Sequence, residues 1–311
     1  MMRDLLIACT ALLALAGPVR AEEPPSTEAA CAAFVDSARD VDAWTRPLYE
    51  RGDLAALGLP ACEARLEAAP EDASLMAAVG LMRILAGPEN GRALLERAAE
   101  RGERLALEAL FFWRISGVED GEETLIAPDA PLAFDYGHRA AEAGSILTQF
   151  FLGKAYMSGF HVPEDRGAAI KWLRRAARSD DPEISAYLGD ALIGPPPYRG
   201  VSETDAREAL GLIKDAADRG SAHGLYMKGE LMSVLGGADV ETVMEVFKRA
   251  ARKGHKNAAV EVGTYYGDGF HVEKDVEESE RFFCMGGAFG RAYSEELHGR
   301  PPECSPQPNQ E

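Results

Sequence analysis

The chain has 311 residues, 46% of them hydrophobic and 27% charged, with a formal net charge of −18. That balance excludes a nucleic-acid surface, which needs clustered Lys and Arg, and disfavours an anionic membrane surface. It suits solubility and cationic partners.

In chain order, residues 1–21 read as a cleavable signal peptide. Arg3 opens a short n-region, Leu5 to Gly17 is apolar but too short to span a bilayer, and Val19-Arg20-Ala21 places small residues at −3 and −1. Leu6-Ile7-Ala8-Cys9 superficially resembles a lipobox, but most of its apolar core lies downstream of the cysteine, which argues against lipidation. No later run is long enough for a membrane helix, so no transmembrane anchor is expected. The expected localisation is a bacterial periplasm. Residues 22–30 read as a linker, and 31–70 as a divergent helical repeat with Trp44 in its core. Residues 71–290 read as regular repeats, and 291–311 as a cap, with a short helix over Ala292 to His298, followed by a tail. Cys31, Cys62, Cys284 and Cys304 remain after cleavage, one pair near each end and no Cys-x-x-Cys. An even count in an exported chain favours disulfides over metal binding. Of three connectivities, Cys31–Cys62 with Cys284–Cys304 is expected, because it staples each end.

The repeat is written most plainly in Arg97-Ala98-Ala99-Glu100-Arg101-Gly102, Arg139-Ala140-Ala141-Glu142-Ala143-Gly144 and Arg249-Ala250-Ala251-Arg252-Lys253-Gly254. Blocks ending at Asp180 and Gly220 are close copies, and one ending at Gly290 is degraded. The ends at 102, 144, 180, 220, 254 and 290 are 42, 36, 40, 34 and 36 apart, a helix-pair solenoid period with loop insertions. In the clearest unit, Ile146 to Ser158 carries Phe150, Leu152 and Tyr156 on one face. Gly153 marks a close helix approach, Gly159 ends the helix, and Asp165 caps a second one bearing Ala169, Trp172, Leu173 and Ala176. No strand-like alternation is sustained, so the chain reads as all-α.

The order Phe150, Leu152-Gly153, Tyr156, Gly159, Val162, Asp165, Ala169, Trp172, Ala176-Ala177 resembles the Sel-one-like repeat family, a relative of the tetratricopeptide repeats. Val260, Val262-Gly263, Tyr266, Gly269, Val272, Asp275 and Phe282 fill the same places again. The match runs from about Leu75 to Gly290. Phe111 departs from it where the pattern wants Gly, and Gly117 to Pro128 and Gly194 to Gly200 are longer loops. The resemblance implies a right-handed α-solenoid of helix-turn-helix repeats whose first helices line a concave face.

"GFHV" occurs at Gly159 to Val162 and at Gly269 to Val272. In the family pattern His161 and His271 stand where a turn glycine would, which implies positive φ. A shared metal site is the rival reading. Three repeat steps of roughly 8–10 Å separate the turns, far beyond the reach of one ion.

The chain has no His-Glu-x-x-His, Gly-x-Ser-x-Gly, phosphate loop, dinucleotide fingerprint or Ser-x-x-Lys. No catalytic, metal-binding or cofactor residue is therefore assigned. The expected function is a non-catalytic scaffold or regulator holding a protein or peptide on the concave face. The alternative is a hydrolase of the family's cysteine-rich branch, acting on β-lactam or cell-wall substrates. Counting ten residues from each unit's end gives Phe112, Lys154, Asp190, Glu230 and Thr264 at one helical angle. The neighbouring positions add Trp113, Phe151, Tyr187, Met227, Glu261 and Tyr265. This strip is aromatic at its N-terminal end and acidic toward its C-terminal end. It predicts an extended periplasmic or envelope ligand with an apolar anchor near Phe112 and Trp113 and a basic segment near Asp190, Glu230 and Glu261. Ordinary solvated helix surface is the competing reading of the strip.

Overall fold

A computed structural model describes residues 26–39, 48–86, 91–120, 123–196, 198, 200–236, 238–269 and 272–304. The expected signal peptide, Trp44 and His271 lie outside the described residues.

The chain divides into two units, one of residues 1–106 with 119–126 and one of 107–118 with 127–311. The first holds α1 (Thr27–Arg39), α2 (Leu48–Ala68), α3 (Ala73–Ala86) and α4 (Gly91–Glu100). α5 (Arg104–Ser116) begins in the first unit and runs on in the second. A small hairpin of β1 (Val118–Asp120) and β2 (Glu123–Ile126) fills the long loop noted above. Strands this short show no alternation, which is why the sequence reads as helix and loop alone. The second unit continues with α6 (Ala130–Glu142), α7 (Ile146–Ser158), α8 (Arg166–Ala176), α9 (Pro182–Ile193) and α10 (Glu203–Asp218). It ends with α11 (Ala222–Leu235), α12 (Val240–Arg252), α13 (Lys256–Asp268), α14 (Val276–Met285) and α15 (Gly287–His298). Apart from the short hairpin, the described residues form helix pairs, and the fold is an all-α solenoid.

In the first unit Phe34, Met76, Met82 and Leu95 are fully buried. The Cys31–Cys62 disulfide ties α1 to α2, with Cα atoms 5.4 Å apart. Gly58 permits that approach, since a Cβ there would lie 2.7 Å from the Cys31 amide nitrogen. In the second unit Cys284–Cys304 ties the chain after α15 back to α14. Both are the sequential pairing.

The recurring Ala-Ala-x-x-Gly block has a local cause. Its alanines, such as Ala140, Ala141, Ala250 and Ala251, are buried where neighbouring helices touch. Its last residue reverses the chain in the left-handed region, with φ of 94° at Gly144, 86° at Gly220 and 89° at Gly254. Asp180 holds the same place at φ 62°. The next residue, Ser145, Asp181, Ser221 or His255, caps the following helix by accepting a backbone N–H. His161 also lies in the left-handed region, at φ 58°.

Nine residues after each block's end, a glycine receives a large side chain of the next helix. A Cβ at Gly153 would lie 2.5 Å from Leu173, one at Gly189 2.7 Å from Ile213, and one at Gly229 2.5 Å from Phe247. Gly263 meets Phe283 in the same way at 2.8 Å. The α5/α6 pair inverts the arrangement. Phe111 occupies the glycine position and Gly137 the large one, with the ring 2.8 Å from where a Gly137 Cβ would be. The departure at Phe111 is thus a size swap within a recurring contact.

Candidate functional site

Phe111, Phe112 and Trp113 point about 100° apart on α5, so they meet different surroundings. Phe111 and Trp113 are buried, and only Phe112 is part-exposed. Trp113 therefore belongs to the core and offers no anchor surface. Met227 is also buried, among Leu192, Ile213 and Leu231. The other strip residues, including Thr264 and Tyr265, are part-buried, and Phe151 is 42% exposed. Tyr265 leans on the core cluster of α12 and α13.

A continuous ladder of rings crosses the first helices, part-exposed or exposed except at the buried His223. Phe112 on α5 meets Phe151 on α7 at 4.8 Å, nearly perpendicular. Phe151 neighbours Phe150, and Phe150 meets Tyr187 on α9 at 5.2 Å. Tyr187 stacks flat on His223 of α11 at 3.7 Å, and Tyr226 of α11 stacks on His255 at 4.3 Å. The Lys154 ammonium lies 4.7 Å from the Tyr187 ring centre and 5.2 Å from that of Phe150, within cation–π range. The flat histidine stack occupies one face of Tyr187, so the ammonium takes the other.

Beyond Tyr187 the surface turns acidic and becomes ordered by a one-way hydrogen-bond chain. The Ala258 N–H donates to His255 Nδ1 at 3.2 Å, so the His255 proton sits on Nε2. That Nε2 donates to His223 Nδ1 at 3.1 Å, which leaves the His223 proton on Nε2. His223 Nε2 in turn donates to Asp190 at 2.9 Å. Every ring nitrogen then has the one role its neighbour needs. Burial, with His223 and Lys154 nearby, holds the His255 pKa down to about 3. The Asp190 charge acts onward: burial first, then Asp190, raises the Glu230 pKa. Burial first, then Glu230, pushes Glu261 up to about 7. Asp190, Glu230 and Glu261 thus form one electrostatic group.

His223, His255 and Tyr226 are absent from the strip as counted from sequence. His255 had a signal, because it stands where Ser145 and Ser221 cap the other first helices. His223 had none, since its partners come from α9 and α13. The arrangement favours binding over proton transfer: the histidine chain is committed to its own hydrogen bonds. Ser221 donates to Glu183 at 2.6 Å and caps α11. Ser279, bonded at 3.1 Å to His298, already donates to the Gly263 carbonyl at 2.7 Å.

The model of the Sel1 repeat matches residues 75–103, 117–145, 146–181 and 256–286. The unmatched span between them holds Asp190, His223 and Glu230. Curated relatives include DAP3-binding cell death enhancer 1 of Rattus norvegicus, 24% identical over 176 residues, 57% of this chain and 34% of the relative. The Mus musculus protein of that name is 23% identical over 170 residues, covering 55% and 33%. The chain thus spans about a third of the length of these relatives. Among solved structures, a Sel1 repeat protein from Oxalobacter formigenes superposes with a TM-score of 0.58 at 17% identity, covering 91% of this chain and all of that one. A protective antigen of uropathogenic Escherichia coli displaying an SLR fold gives 0.55 at 19% identity, covering 88% and 57%. Those four stretches are Sel1 repeats, set in a helix-pair fold like that of these structures.

Proposed function

We propose that the chain is a non-catalytic interaction module of the bacterial periplasm that holds an extended polypeptide along the first helices of its second unit. The observation that carries this reading is the gradient along one row. Part-exposed Phe112 and exposed Phe151 lead through Tyr187 to Asp190, Glu230 and Glu261. Large rings left accessible at a surface, with charge of one sign beside them, fit a ligand bearing apolar and basic groups in that order. The anchor is Phe112 with Phe151, since Trp113 is buried. Two disulfides support an oxidising compartment. The rat and mouse relatives are named for binding a protein, which supports a polypeptide as the ligand class.

The test is fluorescence anisotropy with a labelled peptide carrying three basic residues followed by an aromatic one, against an acidic peptide of equal length. The basic peptide binds, and Phe151→Glu and Glu230→Lys each weaken it about tenfold or more. Lys171→Glu, on the exposed side of α8, leaves it unchanged. Equal binding of both peptides, or loss only in Lys171→Glu, refutes the reading.

A further inference from the structure

Phe112, Phe151, Ile115, Met157 and Phe160 border an open cavity of about 480 Å³ in the second unit. Phe151 and Phe160 stand 42% and 53% exposed at its mouth. The wall is apolar but for the Ser158 hydroxyl, the Tyr187 phenol and one charge, Lys154. Among the described residues Lys154 pairs with no carboxylate. Its ammonium is held over the Phe150 and Tyr187 rings, and burial lowers its pKa. Only the Glu183 charge acts on it, from beyond ion-pair distance, and a half-buried cation with no carboxylate in contact, at the lip of an apolar hole, is a place where a bound negative charge is rewarded.

Resting on the groove reading above, we propose that this pocket takes the free C-terminus of a polypeptide. The last side chain, large and apolar, fills the cavity between Phe112, Phe151 and Phe160. Its α-carboxylate pairs with Lys154, and the preceding basic residues run past Tyr187 toward Asp190, Glu230 and Glu261.

Two constraints select this occupant. The first is distance. Phe151 and Lys154 are three residues apart on one helix, so their side chains start about 5–6 Å apart. The ligand must offer its anion and its apolar group within that span. Successive side chains of an extended strand point to opposite sides, so an internal acidic residue next to an aromatic one cannot serve both. A terminal residue carries both groups on one Cα. The second constraint is charge. Beyond Tyr187 the surface is acidic in a chain of net charge −18, which repels a ligand that is only an anion. A tail that is basic upstream and anionic at its last atom matches both ends.

The probe is a labelled Arg-Lys-Arg-Gly-Ser-Gly-Phe peptide, made once with a free carboxylate and once as the amide. Anisotropy is read for wild type, Lys154→Met and Glu230→Lys, with decanoate as competitor. We expect the free acid to bind about tenfold tighter than the amide. Lys154→Met should erase that preference. Glu230→Lys should weaken both forms alike. Equal affinity of acid and amide, with both still sensitive to Glu230→Lys, overturns the C-terminal assignment and leaves the groove standing. Binding of neither form overturns both. Decanoate that binds as tightly as the free-acid peptide, with the peptide itself indifferent to Glu230→Lys, assigns the pocket to free amphipathic acids and overturns the proposal. The acid–amide comparison needs no variant, so a folding defect cannot obscure it.

Discussion

The inverted contact between α5 and α6 permits a double-mutant cycle. Phe111→Gly removes a ring that is 2% exposed and packed edge-on against Phe134 at 5.9 Å. Loss of a buried Phe costs about 3–5 kcal/mol, and glycine within a helix adds about 1 kcal/mol. Gly137→Leu alone drives a side chain into the Phe111 ring, which lies 2.8 Å from the site of its first atom. Overpacking of that kind costs about 1–3 kcal/mol. The double variant restores the order seen at Gly153–Leu173 and Gly189–Ile213, glycine on the first helix and an aliphatic side chain on the second. It should therefore be more stable than the sum of the single effects by about 2–3 kcal/mol, the upper range for residues in contact. Urea unfolding followed by far-UV circular dichroism measures this, with slopes checked for constancy across the set. Strict additivity would show that the two positions are not one contact and that the repeat register across this pair is wrong.

Glu261 carries a raised folded pKa of about 7 against an ordinary 4.5, so its contribution is intact below 4.5 and is lost as pH rises through 7. The ceiling is about 3 kcal/mol at 1.36 kcal/mol per unit, and solvent screening reduces it to about 1–2 kcal/mol. Glu261→Gln should flatten that fall in melts taken between pH 5 and 8, and an unchanged slope would contradict the assignment. His255 is depressed to about 3 from 6.5, so its contribution is intact above 6.5 and fades as pH falls toward 3. His255→Asn keeps a capping side chain but cuts the link to His223, and it should shrink the acid-side loss in the same melts. Replacing Cys284 and Cys304 by Ser opens a loop with a sequence separation of 20 and should cost about 3 kcal/mol in thermal unfolding. His161 sits at φ 58°, so His161→Gly should be neutral or stabilise by up to about 1 kcal/mol, while the β-branched His161→Val should destabilise by about 1–2 kcal/mol.

Much of the scaffold is legible because its contacts repeat. A glycine nine residues past each block's end, an alanine pair before it and a capping residue after it are one-dimensional patterns. They translate into buried seams, left-handed turns and first-turn hydrogen bonds. The swap at Phe111 was equally readable, since Gly137 stands where Leu173, Ile213, Phe247 and Phe283 stand in other units. The site was legible in part. Counting by period finds Phe112, Phe151, Lys154, Tyr187 and the three carboxylates, since equivalent positions share a helical face. It also gathers Trp113 and Met227, which turn inward, because one residue of offset rotates a side chain by about 100°. The His255–His223–Asp190 chain links three successive repeats, and its partners have no common offset in sequence. The hairpin between α5 and α6 is too short to leave a periodic trace.

The most direct test of a polypeptide groove is selection from a random peptide library displayed with free C-termini, run in parallel on wild type, Phe151→Glu and Glu230→Lys. Wild type should enrich sequences with Lys or Arg upstream of a large apolar last residue, and both variants should lose them. Enrichment of acidic sequences, or of sequences that bind both variants as well as wild type, would contradict a polypeptide groove.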